Sequence, residues 1–231
     1  MIYRSLVTAA IVAAFLARPI SAATVDLTTA TMAGPDAHLH GSLSDEGLIN
    51  PGAFSILKSA ATVSELRGYL VFNLGGIQGQ VTKAELLLPN GTLTTQGQQE
   101  GFATLVLHDF YAPVNEILTH PTEAMFDDLG TGILYGESSE FSTSAPAATM
   151  RTIALDSTAL VAINSPHDGK FMMGVSISSA GQQAPWFRWI NYTRDIRNLT
   201  LRLTLVPEPA AGLLAVSPLI GVASVRRTSI A

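Results

Sequence analysis

Asn198–Val206 reads NLTLRLTLV. Leu199, Leu201, Leu203 and Leu205 fall on one face of an extended chain; Thr200, Arg202 and Thr204 fall on the other. Successive side chains of a strand point to opposite sides, so this stretch is expected to be a strand with its leucines buried and its even-numbered neighbours exposed.

Working outward, the same period recurs. In RGYLVFNL, Leu70, Phe72 and Leu74 share a face; in VTKAELLLP, Ala84, Leu86 and Leu88 do, with Lys83 and Glu85 opposite. GGIQGQ between them is a glycine-rich turn, which makes the two segments a hairpin or two neighbouring sandwich strands. FATLVLHDFY, MRTIALD and KFMMGVSIS also read as strands, the last turning Phe171, Met173, Val175 and Ile177 inward. PWFRWINY is rich in aromatics, which suit a pleated surface. STALVAIN is expected to form one or two helical turns capped by Asp156 or Ser157, whereas TVSELR is too short to decide. Residues 24–62, with GPDAHLHGSLSDEG as a loop, and the polar, turn-rich residues 112–149 are expected to be irregular. The pattern predicts an all-β, antiparallel two-sheet sandwich over residues 24–205, with Leu70, Phe72, Leu86, Leu88, Leu201 and Leu203 buried. It does not separate a jelly roll from another two-sheet topology.

The ends of the 231-residue chain read differently. Residues 1–23 carry Arg4, an apolar stretch from Leu6 to Ala17 and small residues at Ser21, Ala22 and Ala23. That is the layout of a secretory signal peptide, cleaved after Ala22 or Ala23. Between the ends, nine Lys and Arg face seventeen acids, so the body carries −8, against −5 for the chain. Such a body is a poor partner for nucleic acid or anionic lipid. The absence of cysteine excludes disulfides, thiol catalysis and Cys-based metal sites.

Candidate chemistry is sparse. His38 and His40 would share a strand face at a spacing fit for a metal, but no acidic third ligand stands at a telling distance, and two solvated loop histidines are the preferred reading. His108, His120 and His167 stand alone, as loop or edge residues do. Asp127 and Asp128 could hold calcium, yet no further carboxylate follows at EF-hand spacing, so a turn is favoured. No Gly-x-Ser-x-Gly elbow occurs, and no carboxylate pair is singled out for glycoside hydrolysis. No cofactor is implied and an enzyme is not expected. The densest local feature is WFRWINYTRDIR, where Trp186, Arg188, Tyr192 and Arg194 could stack on and support a sugar; core packing of these aromatics is the competing reading. Asn90, Asn191 and Asn198 open Asn-x-Thr triplets, which matter only where the matching transferase exists.

After the body come Val206, then Pro207-Glu208-Pro209, sixteen uncharged residues from Ala210 to Val225, and Arg226-Arg227. As a helix the uncharged run reaches about 24 Å, short of the roughly 30 Å hydrocarbon core, and Pro218 and Gly221 weaken it. It can hold in a membrane marginally, with the arginines inside and the prolines at the outer surface. This arrangement over residues 206–231 resembles the PEP-CTERM sorting signal of exopolysaccharide-producing Gram-negative bacteria, although Pro218 interrupts its run and leucine is sparser than usual. The stretches RGYLVFNLGGIQGQVTKAELLL, FDDLGTGILYG, TIALDSTALVAIN and GKFMMGVSIS are similar to uncharacterised proteins carrying that signal. The first is also similar to jelly-roll modules of secreted, carbohydrate-associated proteins. The resemblance implies a jelly-roll-like body and an exosortase-type partner acting on Pro207, Glu208, Pro209, Arg226 and Arg227. It also implies a stay in the inner membrane through a short hydrophobic C-terminal helix, then a place at the cell surface or in the extracellular matrix. With the body's composition it makes a non-enzymatic protein that binds exopolysaccharide the leading expectation, and a secreted polysaccharide hydrolase or lyase the alternative.

Overall fold

The computed structural model of the chain describes residues 22–28, 39–51, 54, 56–58, 65–89, 92–93, 102–139, 141–142, 150–178, 187–190 and 199–206. Residues 1–21 of the expected signal peptide, residues 207–231 of the expected sorting tail, and His38, Trp186, Tyr192 and Arg194 lie outside the described residues. In chain order the strands are β1 (Ala23–Thr28), β2 (Leu39–Ser44), β3 (Ile49–Pro51), β4 (Ile56–Lys58), β5 (Glu65–Asn73), β6 (Gln80–Pro89) and β7 (Thr92–Leu93). They continue with β8 (Phe102–Asp109), β9 (Leu134–Glu137), β10 (Phe141–Ser142), β11 (Met150–Ala154), β12 (Lys170–Ser178), β13 (Phe187–Ile190) and β14 (Thr200–Val206). The helices are α1 (Val114–Thr119), α2 (Glu123–Asp128) and α3 (Ser157–Asn164).

Two antiparallel sheets face each other. The first runs β1-β14-β6-β11. The second runs β10-β8-β12-β5-β4-β13-β7, with β2 and β9 paired onto β5 and β8 and β3 onto β2. Alternation decides what lies between them. Leu86, Leu88, Leu201, Leu203 and Leu205 of the first sheet meet Leu70, Phe72, Leu105, Leu107, Phe171, Met173, Val175 and Ile177 of the second in one buried core. All six residues expected to be buried are fully so. GGIQGQ crosses from one sheet to the other, since β5 and β6 belong to different sheets, so of the two readings the neighbouring sandwich strands hold.

One expectation for the leucine strand needs correction. Thr200 is buried, and Arg202 and Thr204 are half-buried. The reason is position: β14 is flanked by β1 and β6, so its outward residues stand between neighbours, as Arg202 does against Asp26 at 2.7 Å.

The second sheet is covered on both faces. Leu43, Tyr69 and Val71 point away from the main core, yet they are buried beneath Phe110, Ala112, Ile117, Phe126 and Leu129. These five come from residues 110–129, expected to be partly irregular, which instead lay α1 and α2 over the outer face. Thr122 caps α2, its side chain accepting from Met125 N. Asp127 and Asp128 end that helix and open the expected turn, their carbonyls accepting from Gly130 N and Thr131 N at 3.1 and 3.3 Å. Two glycines make the layer possible. A side chain at Gly41 would strike the Tyr69 ring, and one at Gly174 would strike the backbone of Leu129. Arg67 fastens the layer: its Nη1 donates to the carbonyls of Phe126 and Asp127 at 2.8 and 3.1 Å, and the guanidinium lies 4.1 Å from the Phe126 ring centre.

Other expectations also change. The expected loop around His40 contains β2; it pairs with β5 over Leu39–Ser44, and His40 is buried rather than solvated. Small residues, Gly41 and Ser42 among them, hide this strand from a hydrophobic pattern. His108 sits half-buried within β8, between β12 and β9, not in a loop. Glu65–Arg67 belong to β5, which disposes of the short helix signal there. The helix over STALVAIN is present as α3, with Asp156 as its cap, accepting from Thr158 N and Ala159 N at 2.9 and 3.0 Å.

Register also fixes the ends. Ala23 faces Leu205, Val206 faces Gln80, and the short crossover from Asn73 to Gln80 brings Lys170, the partner of Asn73, to that end as well. Gly174→Ala should strain the contact with Leu129 and cost about 1–3 kcal/mol of unfolding free energy in denaturant titration. Gly76→Ala, with nothing near its added carbon, should be close to neutral.

Candidate functional site

Where β8 ends, the chain must turn back over the sheet, and two aspartates hold the turn. Asp109 Oδ1 accepts from Ile133 N at 2.6 Å, and Asp109 N donates to Ile133 O at 2.8 Å. Asp128 Oδ2 accepts from Tyr111 N at 3.3 Å. Between these anchors Phe110 and Ala112 point into the second core and Tyr111 points out, 60% exposed.

Opposite Tyr111, His167–Lys170 forms a tight turn into β12. Lys170 N donates to His167 O at 2.9 Å, and Asp168 and Gly169 both take positive φ, 49° and 67°. Asp-Gly is the sequence such a turn favours, because glycine carries no steric penalty there and aspartate a small one. Leu74 N donates to Gly169 O at 2.7 Å and ties the turn to the end of β5. The His167 ring is thereby held edge-on to Tyr111, centroids 4.7 Å apart and planes at 66°.

Two adjoining hollows, of about 190 and 310 Å³, share Tyr111, His167, Lys170 and Met172. Apolar walls come from Phe110, Phe171 and Pro166; polar edges come from Asp168, Lys170 and Ser165. Tyr135 also lines the second hollow. Burial first, then the charges of Asp109 and Asp156, pushes its hydroxyl up to about 12, so it acts as a donor and not as a base. Burial, then the charge of Asp109, also raises the Asp128 carboxyl. Both Asp109 and Asp128 are committed to backbone amides, which suits scaffolding rather than proton transfer. Among the described residues, no group of three His, Cys, Asp or Glu could hold a metal ion.

An exposed aromatic face beside an ammonium, a carboxylate and an imidazole can stack a ring-shaped ligand and bond its hydroxyls. The residues singled out from the sequence are not brought to this place by anything described. Arg188 has its backbone in β13, paired with Leu57, and Trp186, Tyr192 and Arg194 fall outside the described residues. Sequence reasoning missed Tyr111 because it closes an apolar strand-like run. It took His167 as isolated because its partner lies far away in the chain. The Asp-Gly turn ahead of KFMMGVSIS was the available signal.

No protein-family model matches the chain, and no curated protein is detectably similar to it. Among the described residues, no helix is long and apolar enough to cross a membrane.

The two Asp128 states predict a pH effect. A carboxyl whose pKa is raised by folding favours the folded protein in acid, and that advantage is lost as pH rises through the raised value. Asp128→Asn should therefore melt at a higher temperature than the parent at pH 7. The gap should close as pH falls below the ordinary carboxylate range in thermal melts taken across pH.

Proposed function

We propose that this is an exported, non-enzymatic, jelly-roll-like protein that is sorted through its C-terminal tail and binds polysaccharide at the cell surface or in the extracellular matrix. The observation that carries the binding half is the exposed Tyr111 ring, fixed beside His167 and rimmed by Asp168 and Lys170. A sugar ring offers an apolar face to stack and hydroxyls to bond, and both needs are met there.

The sorting half draws support from the pairing of Ala23 with Leu205. The junctions with the signal peptide and with the tail leave the body side by side. Removing either segment, after Ala22 or within Pro207-Glu208-Pro209, would leave the first sheet whole, and a cut after Ala23 would take only the first residue of β1. An exosortase-type enzyme is the proposed partner, and the run Ala210–Val225 the transient membrane anchor, with Arg226 and Arg227 behind it.

Polysaccharide binding is tested with the full-length protein on a glycan array. Tyr111→Ala should weaken binding about tenfold, the order of 1.4 kcal/mol, without changing the melting temperature. Trp186→Ala is the companion variant. If it abolishes binding and Tyr111→Ala does not, the contact belongs to Trp186, Arg188, Tyr192 and Arg194. Intact mass in a host with the sorting system tests the rest: mature protein should lack Arg226 and Arg227, and Glu208→Ala should retain them.

A further inference from the structure

A third hollow, of about 300 Å³, opens on the helix-covered face of the larger sheet, and Tyr111 is not among the residues lining it. That volume is at the small end of the roughly 300–1,000 Å³ typical of ligand sites. Its lining includes Ser176 and Ser178 of β12, Val106 and His108 of β8, and Glu65 and Arg67 of β5. Gly130 forms one lip; a side chain there would come within 2.7 Å of the guanidinium.

The polar groups of this hollow are only partly used. Arg67 Nε donates to Glu65 Oε1 at 2.9 Å, and Nη1 is spent on the carbonyls of Phe126 and Asp127. Among the described residues Nη2 has no acceptor. His108 lines the hollow with its ring, while its Nδ1 is enclosed by protein and, among the described residues, has no hydrogen-bond partner. Ser176, itself 8% exposed, lies beside Val106 in the ladder between β12 and β8.

Charge decides the ligand class. Arg67 is balanced by Glu65 at 2.9 Å and has Asp127 at 3.9 Å. Burial, the largest cause, lowers the His108 pKa; the Asp109 charge opposes this and the Arg67 charge adds to it, so the imidazole is neutral at neutral pH. No positive charge is left over for an anion. What remains is a mixed set of donors and acceptors: guanidinium N–H, carboxylate oxygen, neutral imidazole and hydroxyls. Such a set complements vicinal hydroxyls, each of which both donates and accepts. We propose that this hollow is a second saccharide-binding site, separate from Tyr111 and selective for neutral sugars, so that one domain can bridge two polysaccharide chains. This rests on the saccharide reading above.

The test follows the imidazole signals of full-length, ¹⁵N-histidine-labelled protein in detergent micelles by NMR. Cellohexaose, laminarihexaose, maltohexaose and the acidic hexamer of galacturonate serve as probes. His108 signals should move saturably with at least one neutral hexamer. The Kd read from them should stay within about twofold in Tyr111→Ala and weaken about tenfold or more in Ser178→Leu, which fills the mouth. His108 unmoved by every neutral hexamer, or moved only by the galacturonate hexamer, overturns the inference. So does loss of the His108 response in Tyr111→Ala, which would make the two hollows one site. If His108 stays still while the His167 signals respond, the second site fails and the Tyr111 reading stands; if neither responds, both fail.

Discussion

The architecture depends on β14 lying between β1 and β6. Its four-leucine face, from Leu199 to Leu205, is buried to within a few per cent, and each leucine stands opposite the second sheet. Both neighbours draw their register from it: Leu201 sets Leu27 on one side and Leu86 on the other. A shift of one residue would turn every leucine outward, so the buried face locks the whole first sheet. The Asp26–Arg202 pair crosses the same junction on the outer face, where it adds direction more than energy.

The second sheet solves a different problem. Tyr69 and Val71 would leave its outer face greasy if nothing covered them. The chain between β8 and β9 provides the cover; Gly174 lets it come close, and Gly41 leaves room for the Tyr69 ring beneath it. Both candidate binding hollows lie where this cover stops. One opens at the turn held by Asp109 and Asp128, the other beside Gly130, where Arg67 clamps the last carbonyls of α2. The hollows are therefore by-products of covering a sheet with a segment smaller than the sheet.

How far the sequence could be read follows from the same physics. Strands with one buried face write a period of two, and Leu199–Leu205, Phe171–Ile177 and Ala84–Leu88 were legible for that reason. Asp156 was legible because an aspartate before an apolar helical run has one obvious task, capping it. β2 was not, because Gly41 and Ser42 are buried as small residues that make room for Tyr69 and the core rather than as apolar ones. The six-residue helices α1 and α2 are too short to display a 3.6-residue period, although Thr122 three residues before Met125 was a usable cap signal. Tyr111 and His167 meet only through the fold, and nothing local marks either as half of a pair.

The first strand of the domain is made at its beginning and finds its partner at its end. Among the described residues Ala23–Thr28 pairs only with β14, and β6 likewise waits for that strand on one side. Contacts so distant in the chain close slowly, because the intervening loop must first be ordered. Until β14 arrives, the first sheet lacks a central strand and four leucines are missing from the core between the sheets. The second sheet can pair without that strand, but the face it turns to the first sheet stays open, so the two halves of the core close in one late event at the far end of the chain.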